Sequence, residues 1–383
     1  MHLVNVLSSA SWGGLEMYAC KWMHLMLARG HSVTAIVQEG TPVARSLADS
    51  GVTVLKVPSE SHINLRAINA IVASAREPRS VIVSHSRVDV WSASVAARMS
   101  GVPLVNHVYM VAVPKHDILH SLIYSRVDAT VCSSQVNLEA IQRFYPIRPS
   151  TTHLIRYLRS ETEYSRNLTQ REAWRRAWSA HHDTLVLGMT TRIDPLKRIR
   201  LAVESLDFLP SKVLRRIRLV IVGSPTVSAT ARDGRTSYEA DSRAEYDWLL
   251  RQCSLPNRIG TLFYVPFQPS TVGVLSAFDA FLMLTRGEMY ALSVVEAMLC
   301  GLPIVGVQSG GTSEQVGTDR GILLNSESAS EVADTITYYL DNPSVRERHG
   351  FNAYHWAQTQ HSPETVLSQW ESLFEALLQR RLS

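Results

Sequence analysis

The sequence predicts an α/β protein of two doubly wound domains, each a parallel sheet with helices on both faces, facing across a cleft. Three observations predict it. Short apolar runs rich in Val, Ile and Leu alternate with longer amphipathic stretches, first from Leu3 to Phe144 and again from Thr184 to Leu324. At 383 residues the chain is too long for one ordinary core. A polar, Arg-rich segment, 157–183, interrupts the alternation once. Hydrophobic content of 45% and charged content of 19% describe a globular chain rather than a disordered one.

Taken in order, Leu3–Leu7 reads as the first strand, Ser8 to Gly14 as a loop, and Leu15–Ala28 as a helix with Leu15, Tyr18, Ala19, Trp22 and Met26 on its apolar stripe. Gly30 ends it and Ser32–Val37 is the next strand. Further strands are expected near Val52–Val57, Ser80–Ser84, Leu104–Val108 and Ala129–Cys132. Helices are expected near Ile63–Ala75, Trp91–Ser100, Ile118–Arg126 and Gln135–Phe144. The interrupting segment carries one short helix, 170–178. The beat then resumes with strands at Thr184–Met189, Leu219–Val222, Ile259–Tyr264, Ala280–Leu284, Ile304–Val307 and Gly321–Leu324. The stretch 232–241 is polar and reads as a loop, and helices near Ala329–Leu340, Val345–Gln358 and Glu364–Arg380 close the chain. The expected domains are 1–160 and 184–360, with a linker region at 161–183 and a last helix, 361–383, whose return onto the first domain is left open.

The net charge of +4 is mild and nearly all the cations are Arg, which suits an anionic ligand or an anionic membrane surface. No nucleic acid partner is expected, since no zinc-finger or RNP-type signature accompanies that charge. Cys20, Cys132, Cys253 and Cys300 form no C-x-x-C pair and read as reduced core residues. No apolar run approaches the ~20 residues of a membrane-spanning helix, and the N-terminus reads as a strand rather than a signal peptide. The expected location is cytoplasmic, with peripheral contact at the inner face of the membrane left open.

The chemistry concentrates in the stretch 285–307. Glu288 lies in a loop at the C-terminal end of a strand, just before a helix over Leu292–Leu299, and Glu296 lies on that helix. Open α/β sheets bind ligands on this edge. The helix start offers N–H groups and a positive dipole end to a phosphate, and the carboxylates can accept from sugar hydroxyls. Arg192 and Lys197 flank the Asp194-Pro195 turn after the first strand of the second half; two cations there can neutralise a diphosphate without a metal. Gly13 and Gly14 open the first helix, either as a plain turn or for close approach of a ligand. His107 and His85 end neighbouring strands, each either a ligand contact or a satisfied core group. Trp174, Trp178, Arg175 and Arg176 fit a helix packing two Trp onto a domain better than a lipid interface. There is no G-x-G-x-x-G, Walker A loop, G-x-S-x-G or H-E-x-x-H motif. The nearest approach to a D-x-D metal pair is Glu239-Ala-Asp241.

Together these pieces resemble the retaining glycosyltransferases of family GT4, which have the GT-B fold of two Rossmann-like domains. The most specific part is Glu288, seven residues, Glu296, then Ala-Met-Leu-Cys-Gly-Leu-Pro-Ile-Val. Arg192 and Lys197, Gly13 and Gly14, His107, Gly223 and the Gly310-Gly311 loop follow in the family's order. The resemblance implies that Gly13 and Gly14 leave room for the donor diphosphate and that Arg192 and Lys197 hold it. It implies Glu288 on the donor sugar, Glu296 on the ribose, and backbone N–H groups of Tyr290, Ala291, Leu292 and Ser293 on sugar and phosphate. Gly223 would lie near the base and His107 near the transferred sugar. Met289-Tyr290-Ala291 stands where the family usually has Gly-Phe-Gly, with bulkier side chains that narrow the sugar pocket or redirect the loop. The expectation is transfer of a hexose-type sugar from a UDP- or GDP-sugar to a glycan or lipid-linked acceptor, with no cofactor and no metal, in cell-surface polysaccharide or glycolipid synthesis. The alternatives are a GT-B sugar-nucleotide epimerase or hydrolase and a non-catalytic nucleotide-sugar-binding protein.

Overall fold

The computed structural model describes residues 1–58, 62–230 and 236–381. They form two compact units, Met1–Leu158 with Pro363–Ser383, and Arg159–Ser362. Residues 161–183 therefore belong to the body of the second unit, and the last helix belongs to the first.

The first unit is built on β1 (His2–Leu7), β2 (Ser32–Gln38), β3 (Thr53–Val57), β4 (Ser80–Ser84), β5 (Leu104–His107), β6 (Ala129–Cys132) and β7 (Thr152–Leu154). All pairs are parallel, in the order β3-β2-β1-β4-β5-β6-β7. The central strands β1, β4, β5 and β6 are buried along their whole length, as continuous apolar runs covered on both faces should be. The helix Gly14–Ala28 turns Trp22 inward, edge-on to Trp370 and Phe374 of the terminal helix Pro363–Gln379. Arg29 bonds Glu364 at 2.6 Å and Glu371 at 2.7 Å, and His31 meets Glu371 at 2.8 Å, so the same two helix surfaces are tied at their polar edge.

The second unit holds β8 (Leu185–Thr190), β9 (Ile217–Gly223), a hairpin of β10 (Val227–Thr230) and β11 (Thr236–Tyr238), then β12 (Leu262–Pro266), β13 (Ala280–Met283), β14 (Ile304–Val307) and β15 (Gly321–Leu324). The main sheet runs β12-β9-β8-β13-β14-β15. The hairpin and a helix beginning at Ala240 replace part of the loop expected over 232–241; residues 232–235 of that stretch lie outside the described residues. The segment read as a linker is structural. Its helix, Leu168–Ala177, supplies Arg171 and Arg175, which each reach Asp279 at 2.8 Å, and Asp279 also accepts from Val186 N at 2.9 Å. Burial opposes ionisation of Asp279, yet the two guanidinium groups outweigh it and hold the carboxyl below its ordinary value. Trp178 is buried and stacks on Trp174 and Phe278, the packing alternative for that pair. Among the described residues no helix is long and apolar enough to cross a membrane.

Candidate active site

In the second unit the chain winds outward from β8 through β9 to β12, then restarts at β13 on the other side of β8. Neighbouring connections diverge at β8 and β13, which leaves a crevice at their C-terminal ends. The Arg192–Lys197 turn follows β8 and the Glu288 loop follows β13, so the two meet there. Lys197 Nζ donates to Glu288 Oε2 at 3.0 Å, with the side chains 18% and 25% exposed, open enough for a ligand to reach. Arg192 is 62% exposed, and its one ion-pair contact among the described residues is a long one, 3.8 Å to Asp194. Its backbone is fixed: Thr191 N donates to Val222 O and Ile193 N to Ser224 O, both at 2.9 Å. Gly223 makes that possible. It has φ +152°, and a Cβ there would lie 1.8 Å from Thr191 O.

The Glu288 loop is held from β14. Gly287 N donates to Ser309 Oγ at 2.8 Å, and Gly311 N donates to Glu288 O at 2.7 Å. A Cβ on Gly311 would lie 1.8 Å from Met289 O, so the second glycine of that pair is a steric requirement.

Ala291, Tyr290 and Glu296 are each held by the protein. Ala291 N–H donates to Gln315 Oε1 at 3.0 Å, and Gln315 Nε2 returns a bond to Ala291 O at 2.9 Å, so this N–H is committed to the protein. Leu292 and Ser293 open the helix Leu292–Leu299, and among the described residues their N–H groups make no hydrogen bond. Tyr290 is buried, with its hydroxyl 2.9 Å from His361 Nε2, so its ring fills the interior of the unit. Glu296 is also buried, and its Oε1 accepts from Arg159 Nε at 2.9 Å. Arg159 was not legible as a site residue: it precedes Glu296 by 137 positions, and no spacing rule links them.

The first unit has its own switch point between β1 and β4. Gly13 and Gly14 open the helix that follows β1. Gly13 N donates to Glu16 Oε2 at 2.9 Å, and Ser9 Oγ donates to Glu16 Oε1 at 2.7 Å, so the helix start carries its own carboxylate. His85 is a satisfied core group. Asn5 Oδ1 takes its Nε2 proton at 2.9 Å, which leaves Nδ1 to accept from the Tyr109 hydroxyl at 2.8 Å. Burial lowers its pKa to about 3. His107 ends β5, is 2% exposed, and among the described residues neither ring nitrogen makes a hydrogen bond. Burial, with His85 adding, holds its pKa well below the ordinary value, so it is a neutral imidazole at neutral pH.

Residues 13–157 match the model of the glycosyl transferase 4-like domain, and residues 170–356 match that of glycosyl transferases group 1. A D-inositol 3-phosphate glycosyltransferase of Kribbella flavida is 28% identical over 197 residues, 49% of this chain; the match spans only 42% of that relative's length. The protein of the same name from Xylanimonas cellulosilytica is 23% identical over 372 residues, 88% of this chain and 85% of that one. Among solved structures, Anabaena Alr3699/HepE in complex with UDP superposes with a TM-score of 0.83 at 16% identity, covering 98% of this chain and 100% of that one. This likeness shows the fold.

Proposed function

We propose that this chain, which belongs to the glycosyltransferases of family GT4 with the GT-B fold, moves a hexose-type sugar from a nucleoside-diphosphate donor to a glycan or lipid-linked acceptor, with retention and without a metal ion. The observation that carries the reading is the Lys197–Glu288 pair at the β8/β13 switch point, beside exposed Arg192 and the N–H groups of Leu292 and Ser293, which make no hydrogen bond among the described residues. Lys197 and Arg192 bind the donor diphosphate and stabilise the charge that develops on it as the sugar leaves. Glu288 takes the sugar hydroxyls, and Arg159 fixes the rotamer through which Glu296 meets the ribose. The leaving phosphate accepts the acceptor's proton on the same face of the sugar, so no protein nucleophile is required. The Anabaena protein is described in complex with UDP and with UDP-glucose, which supports a uridine nucleotide as the first donor to try.

The test is release of nucleoside diphosphate from a panel of UDP- and GDP-hexoses, with and without a chelator. The anomeric configuration of the product is read by NMR. Turnover that survives chelation and keeps the donor's configuration supports the reading. Tight binding without any turnover would leave a nucleotide-sugar-binding protein, and an inverted product would remove the same-face mechanism.

A further inference from the structure

At the switch point of the first unit lies a cavity of ≈ 290 Å³, walled by Glu16, Arg87, Asn106, His107 and Tyr109 among others. Its lining carries one cation, Arg87, and one carboxylate, Glu16, and among the described residues the two do not pair. Arg87 is half-buried and makes no ion pair among the described residues. One terminal nitrogen donates to Val111 O at 2.8 Å, and its buried Nε has no hydrogen-bond partner. Tyr124 and Tyr145 also line the cavity, and behind them sits Lys115, 6% exposed, with Nζ 5.9 and 5.5 Å from the two ring centroids. Nζ lies 3.4 Å from His120 Nε2 and, among the described residues, has no carboxylate within ion-pair range. Burial and then the Arg87 charge lower the Lys115 pKa, so the two cations act on each other. The acids close by are already engaged: Glu16 with Gly13 N–H and the Ser9 hydroxyl, Asp89 with Ser8. The imidazole of His107, which makes no hydrogen bond among the described residues, lines the same space.

A half-buried guanidinium whose Nε is shut off from water and bonded to nothing is stabilised by an anion that reaches it. Its planar fork matches a phosphate better than a lone hydroxyl. We propose that this cavity is an oxyanion subsite in which Arg87 receives a phosphate group carried by the acceptor. The proposal rests on the reading of the chain as a glycosyltransferase, and it assigns the acceptor to the phosphorylated class. Lys115 adds positive potential from behind the two tyrosine rings, and neutral His107 can exchange a hydrogen bond with an acceptor hydroxyl.

The test titrates glucose 6-phosphate, with glucose as its neutral counterpart, into the full chain by calorimetry. Vesicles of phosphatidylcholine with phosphatidic acid form a parallel arm. UDP or GDP, whichever binds, is kept at saturation so that the donor site takes up no phosphate. The wild type is expected to bind the sugar phosphate or the phosphatidic acid vesicles, which distinguishes a soluble from a lipid-linked acceptor. R87Q should weaken that binding at least tenfold. R87K, which keeps the charge and loses the fork, should fall between them and carries the test if R87Q does not fold. Glucose should bind the wild type no better than R87Q. No phosphate binding by the wild type, or equal affinity in wild type and the Arg87 variants, overturns the subsite. Nucleotide-sugar binding on the same samples separates the two failures: if none binds, the glycosyltransferase reading falls; if it binds while phosphate ignores Arg87, the subsite alone falls.

Discussion

Arg159 and Glu296 form a buried ion pair, Nε to Oε1 at 2.9 Å, with side chains 10% and 12% exposed. Arg159 N also donates to His361 O at 2.8 Å, and His361 Nε2 meets the Tyr290 hydroxyl at 2.9 Å. Arg159 and His361 lie at the two ends of the second unit. The segment carrying Tyr290 and Glu296 is thereby anchored at both places where the chain enters and leaves that unit.

Removing one partner of such a pair strands the other's charge in the interior. Arg159→Met is expected to destabilise the second unit by about 3–5 kcal/mol. Adding Glu296→Gln to that variant should recover part of the loss, because the stranded charge is gone. Urea unfolding of the two variants checks this; a single variant as stable as the wild type would mean that the pair is not formed in solution.

The Lys197–Glu288 pair behaves differently because solvent reaches it. Such pairs contribute only about 0–1 kcal/mol to stability. Lys197→Ala and Glu288→Ala should therefore melt close to the wild type while turnover drops by about 10²–10³, in the first through loss of a preorganised charge at a developing anion and in the second through loss of the group that positions the sugar. Nucleoside diphosphate release and thermal melts on the same preparations decide it. Near-normal turnover in both variants would move the site elsewhere.

The fold was legible because parallel strands buried on both faces must be continuous apolar runs, and β4, β6, β14 and β15 fall where those runs predict. β7 was missed: at three half-buried residues, Thr152–Leu154, it carries no such run. The polar β10–β11 hairpin was missed for the same reason. Lys197 and Glu288 were legible because each follows a strand directly. The partners of Ala291, Tyr290 and Glu296 were not, since Gln315, His361 and Arg159 are brought in by packing, which leaves no local pattern.

Gly311 tests whether the Glu288 loop is held by backbone contact. Gly311→Ala places a methyl 1.8 Å from Met289 O, which is backbone and cannot rotate away. The loop must shift, so turnover should fall at least tenfold together with a stability loss of about 1–3 kcal/mol, the usual range for overpacking. Gly287→Ala is the comparison: its φ of +66° carries strain, but a Cβ there meets nothing within 4 Å, so the penalty should be about 1 kcal/mol. Equal effects of the two substitutions would show that the close approach at Gly311 does not constrain the loop.

The buried histidines of the first unit give stability a defined pH dependence. Burial holds the His85 pKa at about 3, below the ordinary 6.5, and His107 shifts in the same direction. Between those values the unfolded chain binds a proton that the folded chain does not. The stability they contribute is therefore complete above pH 6.5 and is lost as the pH falls through 6.5 toward 3. Each unit of pH in that window costs about 1.4 kcal/mol for His85, so lowering the pH from 6.5 to 5 costs about 2 kcal/mol. His85→Gln gives up the bonds to Asn5 and Tyr109 and should be less stable at pH 7, but its further loss between pH 7 and 5 should be smaller than that of the wild type by about the same 2 kcal/mol. Urea unfolding of both proteins at the two pH values reads the difference directly, and parallel acid losses would mean that His85 titrates normally in the folded chain.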